Sequence, residues 1–148
     1  MRLFLVLFLF SVLSPPALAA SCTVSTGGVA FGIYNTLGSQ PDDSSGNITV
    51  SCTGTAGEVV NVTLSTATNT RNLQSGGRAL VYQLYVDVGR TQVWGDGTSG
   101  TATITGSITV GSNGTVLQSY YVYGRVAGGQ SGAAAGSYSD TLLVTLSW

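Results

Sequence analysis

The sequence predicts an all-β protein, an antiparallel sandwich of six or seven short strands. Apolar residues recur with a period of two, which places them on one face of an extended chain. Turn-forming residues, including most of the 21 Gly, separate the apolar runs. Runs of helical period are absent after the first twenty residues, and short strands at regular spacing point to a sandwich.

Each element follows from its own alternation. "NITVSC" sets Ile48, Val50 and Cys52 against Asn47, Thr49 and Ser51. "VVNVTLS" puts Val60, Val62 and Leu64 on one face. "RALVYQLYVD" groups Leu80, Tyr82, Leu84 and Val86 opposite Val81, Gln83, Tyr85 and Asp87. "QVWGDGTSG" reads as a strand end entering a Gly-Asp-Gly turn, since Asp-Gly tolerates positive φ. "TATITGSITV" is the next strand. "TVLQSYYVYGRV" then puts Tyr120, Val122 and Val126 on one side and Tyr121, Tyr123 and Arg125 on the other. In "SYSDTLLVTLSW", Leu142, Val144, Leu146 and Trp148 fall in register, so the last residue reads as part of a buried strand. "LGSQPDDSSGN" and "GGQSGAAAGS" read as loops.

The first twenty residues read as a secretory signal peptide. Met1 and Arg2 precede an apolar run over 3–13, Ser14, Pro15 and Pro16 end it, and Ala17-Leu18-Ala19 is a small-x-small cleavage motif. The run is too short for a transmembrane span. Cleavage after Ala19 or Ala20 leaves a single domain over 21–148, of about 128 residues. In an exported chain the two cysteines, Cys22 and Cys52, favour a disulfide. Lipidation of Cys22 is the alternative, though Ala19-Ala20-Ser21 lack the large aliphatic residue that modification expects.

Composition excludes several functions. The chain has no His and no Lys, and beyond the leader four Arg (Arg71, Arg78, Arg90, Arg125) face six acids (Asp42, Asp43, Glu58, Asp87, Asp96, Asp140). No basic footprint for nucleic acid or anionic lipid exists. Catalysis lacks its usual groups: no imidazole, no amine, and two thiols expected to be oxidised. The adjacent Asp42 and Asp43 read as a solvated turn rather than a glycosidase pair. "GGQSG" has the wrong spacing for a nucleophile elbow, and "WGDGTSG" has too few oxygen ligands for an EF-hand. No cofactor, metal or small-molecule substrate is expected. Asn47, Asn61 and Asn113 begin glycosylation triplets of the kind Ser/Thr-rich chains show by chance. Tyr82, Tyr85, Tyr120, Tyr121 and Tyr123 read as packing residues before a sugar-stacking surface.

The order of these segments resembles the spore coat protein U domain family, which includes subunits of archaic chaperone–usher pili. The resemblance rests on Cys22 close behind the leader, "FGIY" at 31–34, "GNITVSCTG", Arg71 with "RALVYQLYVD", "VWGDGT", "VYGRVAGGQ" and "AAAGSYSDTLLVTLSW". It covers the chain from Cys22 to Trp148. It implies an immunoglobulin-like sandwich lacking one strand, which a periplasmic chaperone and then a neighbouring subunit supply by β-augmentation. It pairs Cys22 with Cys52. It places Phe31 on the first strand and Leu142, Val144, Leu146 and Trp148 on the last, bordering the acceptor groove, with Tyr138 and Asp140 in the turn that launches the last strand. The expected partners are a periplasmic chaperone, an outer-membrane usher and other pilus or coat subunits. The product reaches the cell surface or the medium. Polymerising members carry a donor segment of about ten residues or more before the first Cys; here cleavage leaves one or two. The alternative function is a secreted adhesin or carbohydrate-binding module at a fibre tip.

Overall fold

The computed structural model describes residues 19–67 and 70–148. The proposed leader therefore lies outside the described residues, apart from Ala19 and Ala20. Among them are eight strands and no helix: β1 (Ser21–Val29), β2 (Asp42–Thr53), β3 (Val59–Thr66), β4 (Arg71–Ser75), β5 (Arg78–Tyr85), β6 (Ile104–Thr109), β7 (Thr115–Val126) and β8 (Val144–Ser147). They form a five-stranded sheet in the order β1-β2-β7-β5-β4 and a three-stranded sheet in the order β6-β3-β8. Every strand pair is antiparallel.

The alternation read from the sequence sets the core. Ile48, Val50 and Cys52 of β2, Leu80, Tyr82 and Leu84 of β5, and Val122 and Val126 of β7 line the inner face of the large sheet. Val60, Val62 and Leu64 of β3 face them from the small sheet. Each fully buried Val or Leu contributes roughly 1.5–3 kcal/mol. Pairing of β2 with β7 runs from Asp42↔Val126 to Thr53↔Thr115 and forms the spine of the molecule. Tyr82 and Tyr120 pack into or against this core, whereas Tyr121 points outward.

Cys22 lies opposite Cys52 in the β1–β2 register, and their sulfurs are bonded. Cys22 therefore has no thiol left to carry a lipid. Further along, β1 bulges between Thr26 and Val29. There Gly28 has φ 71°, and its carbonyl oxygen lies 2.0 Å from where a Cβ on Gly46 would stand. Only glycine on β2 permits that approach.

Two local expectations change. Asp42 and Asp43 do not sit in a loop; they open β2, opposite Val126 and Arg125. Asp and Ser are poor strand formers, but Arg125 donates to Asp43 through Nε at 2.7 Å and Nη2 at 2.8 Å, and pairing with β7 carries the segment. The stretch around Trp94 is not a full strand end. It makes isolated pairings, Tyr85↔Val93 and Trp94↔Ala102. Trp94 is nonetheless buried, donating its ring N–H to the Leu64 carbonyl at 3.1 Å and its backbone N–H to Leu84 at 2.8 Å. Trp94 thus ties the two sheets together, its indole to β3 and its backbone to β5.

Candidate functional site

Two strands that border different sheets face a common gap. β1 pairs only with β2, and β8 pairs only with β3. They are pinned together at one end, where Trp148 Nε1 donates to the Ala20 carbonyl at 2.9 Å. β1 runs away from that point and β8 runs toward it, so they flank the gap in opposite directions. At the far end the gap opens into a cleft of about 760 Å³. Val29, Phe31 and Tyr34 wall it on the β1 side, and Ala133, Tyr138 and Asp140 on the approach to β8. Leu73, Leu80 and Val126 form its apolar floor.

Phe31 lies two residues beyond the end of β1, not on it as expected. The bulge at Gly28 ends regular pairing at Val29, and the chain then turns inward. The Phe31 ring packs edge-on to Tyr82, with centroids 5.8 Å apart, and rests over Gly124, where a Cβ would meet it at 2.6 Å. Leu142, Val144 and Leu146 pack against the core from β8 and its approach while remaining partly open. Trp148 is 57 % exposed rather than interior. Its indole covers the start of β1 from outside. Ile33, Leu37, Leu143 and Trp148, all beside this gap in sequence, are among the most exposed large apolar side chains.

The approach to β8 is fixed by polar contacts. Ser139 and Gln74 exchange backbone hydrogen bonds at 2.8 and 3.1 Å, which ties this segment to β4. Tyr138 donates to the Ala134 carbonyl at 2.9 Å. Asp140 accepts from Tyr82 Oη at 2.8 Å and from the Thr141 amide at 2.8 Å. Burial pushes the Tyr82 phenol well above its ordinary pKa, and the bond to Asp140 adds to the rise. Tyr82 is therefore a fixed donor, not an acid–base group.

Sequence reasoning quoted Tyr34 and Arg71 within the segments that carry the resemblance but gave neither a role in building this region. Tyr34 donates to the Ala127 carbonyl at 2.7 Å and accepts from the Gln130 amide at 3.2 Å, which holds the loop after β1 against the end of β7. Arg71 is buried and donates to the Trp94 carbonyl at 2.7 Å, to the Ala67 carbonyl at 3.0 Å and to Gln83 Oε1. Burial pulls its pKa below the ordinary guanidinium value, opposed by Tyr82 and Asp140. A lone Arg at the head of a short strand was the one available signal.

Two sheets, a first strand clamped by the disulfide and a last strand paired on one side only define a β-sandwich module with an open side. The Spore Coat Protein U domain matches residues 6–145, nearly the whole chain, and the chain belongs to that family. The domain occurs in structural surface subunits of pilus and coat type. No curated protein matches the chain.

Proposed function

We infer that this chain is an exported structural subunit that receives a strand from a partner. The partner strand enters the gap between β1 and β8, first from a periplasmic chaperone delivering the subunit to an outer-membrane usher, then from a neighbouring subunit. The observation that carries this reading is the pair of sheet edges, β1 and β8, that meet at the Trp148–Ala20 bond, with an apolar cleft between the end of β1 and the approach to β8. Free edges of this kind invite uncontrolled pairing, and a donated strand supplies backbone partners and alternate side chains at once. Leu142, Val144 and Leu146 border the gap from one side and Phe31 from the other; Trp148 closes its pinned end. A leader ending at Ala19 or Ala20 fits delivery through the periplasm.

Co-expression with and without the cognate chaperone tests the reading. The expected result is soluble protein only with the chaperone, recovered as a one-to-one complex. A stable, soluble monomer that ignores the chaperone would overturn it. Leu146→Asp puts a charge against the core-facing side of β8, costs several kcal/mol, and abolishes capture.

A further inference from the structure

The start of β1 holds an acid without a cation. Glu58, in the turn between β2 and β3, accepts from the Ala20 amide through Oε1 at 3.3 Å and from the Thr55 amide through Oε2 at 3.0 Å. Gly54 makes room for this, since a Cβ there would lie 2.5 Å from Glu58 Oε2 and 3.2 Å from Ala20 Cβ. Among the described residues Glu58 enters no ion pair, and the Arg residues are bonded elsewhere. Ala20 is 9 % exposed and belongs to the core, and its carbonyl receives the Trp148 indole.

We propose that the leader is removed between Ala19 and Ala20, and that the new α-ammonium of Ala20 forms an ion pair with Glu58. The inference rests on reading residues 1–19 as a cleaved leader, but not on the strand-acceptor function. Hydrolysis places the water hydroxyl on the Ala19 acyl carbon and leaves Ala20 with a free amine, which takes up a proton at neutral pH. The amide N–H that now donates to Glu58 becomes a cation at the same position. Cleavage one residue later would discard a buried side chain, the Trp148 acceptor and the Glu58 partner together. Processing after Ala19 instead converts a neutral contact into a charge-assisted one and fixes the residue before β1 beside the residue after β8. The titratable group beside the ammonium is Glu58; Cys22 and Cys52 are closed in the disulfide.

The full chain, exported by a Gram-negative host and recovered from the periplasm with its chaperone, provides the first test by intact mass and N-terminal sequencing. A mature chain beginning at Ala20 is expected. A start at Ser21 or elsewhere, or an uncleaved chain, overturns the proposal, while chaperone capture is scored separately and decides the strand-acceptor reading. Because the sequence has no Lys, acetylation of the folded protein with an amine-selective reagent modifies the α-amine alone. A paired ammonium has its pKa raised above the ordinary value of about 8, so its contribution is present below that pH and is lost as pH rises through the raised value. Acetylation is expected to lower Tm by a few degrees at pH 6 and to leave it unchanged at pH 10. Glu58→Gln is expected to lower Tm at pH 6 similarly, with acetylation adding nothing further. An unchanged Tm on acetylation at pH 6 would overturn the ion pair even if Glu58→Gln fails to fold.

Discussion

At the scale of single residues, two Arg sites behave in opposite ways. Arg71 is enclosed, and its guanidinium satisfies the carbonyls of Trp94 and Ala67 and the side chain of Gln83. Replacing it by Leu keeps much of the volume but removes the donor to the Trp94 and Ala67 carbonyls, while Gln83 Oε1 keeps the Leu84 amide. The expected loss is about 3–5 kcal/mol, read as a lower urea midpoint with an unchanged slope. Arg125 and Asp43 instead meet at the surface, with Arg90 3.4 Å away on the same carboxylate. The Arg125 hydrogen bond, opposed by partial burial and aided by the charges of Arg125 and Arg90, holds the Asp43 pKa below its ordinary value. A depressed carboxylate pKa stabilises the fold above the unfolded-state pKa and loses that contribution as pH falls through the folded-state value. Asp43→Asn should therefore lower Tm modestly at pH 7, by the equivalent of at most about 1 kcal/mol, and the gap from the parent protein should close below pH 4. A gap that does not narrow as pH falls below 4 would show that the carboxylate charge is not the cause. Neither set of contacts was legible beforehand, although Arg71 stood among the residues that carry the resemblance. Arg71 carries no period, and Asp43 sits in a stretch whose residues all favour turns.

At the scale of elements, the strands that read clearly were those half-buried along their length. The second half of β2, β3, β5 and β7 alternate apolar and polar residues because one face meets the core, and the structure buries the expected face in each. β1 and β4 were obscure for the converse reason. β1 buries Cys22 and little else, and β4 has only five residues. The acceptor cleft was legible in part. Its β8 side follows from alternation, whereas Phe31 and Tyr34 take their places through a bulge and a hydroxyl contact that no local pattern encodes. The disulfide compensates for the weakness of β1. With one neighbour strand and few apolar contacts, this edge depends on the bond across 30 residues. Replacing both Cys22 and Cys52 by Ala should cost roughly 3–4 kcal/mol in guanidinium denaturation. Hydrogen exchange should rise first in β1, ahead of β7. Loss spread evenly over the five-stranded sheet would mean that the disulfide acts on the unfolded chain alone.

At the scale of the whole molecule, the two sheets leave four outer strands: β1 and β4 on one, β6 and β8 on the other. These edges are not equivalent. β4 is partly capped where Gln74 bonds Ser139. β6 is six residues long and is not part of the cleft at the end of β1. Among the described residues, β1 and β8 meet where Trp148 bonds Ala20, and the cleft over Leu80 and Val126 lies between the end of β1 and the approach to β8. A donated strand should therefore engage these two edges and no other. Hydrogen exchange on the chaperone-bound subunit should show amides of β1 and β8 slowed relative to a transiently released subunit, with β4 and β6 unchanged. The complex should also melt higher, since a partner present at about 100 times its Kd adds about 2.7 kcal/mol to the folded state. Protection confined to β6 or β4 would place the partner on the wrong side of the sandwich. Protection of β8 without β1 would mean that the incoming strand extends the small sheet and does not close the gap between the two.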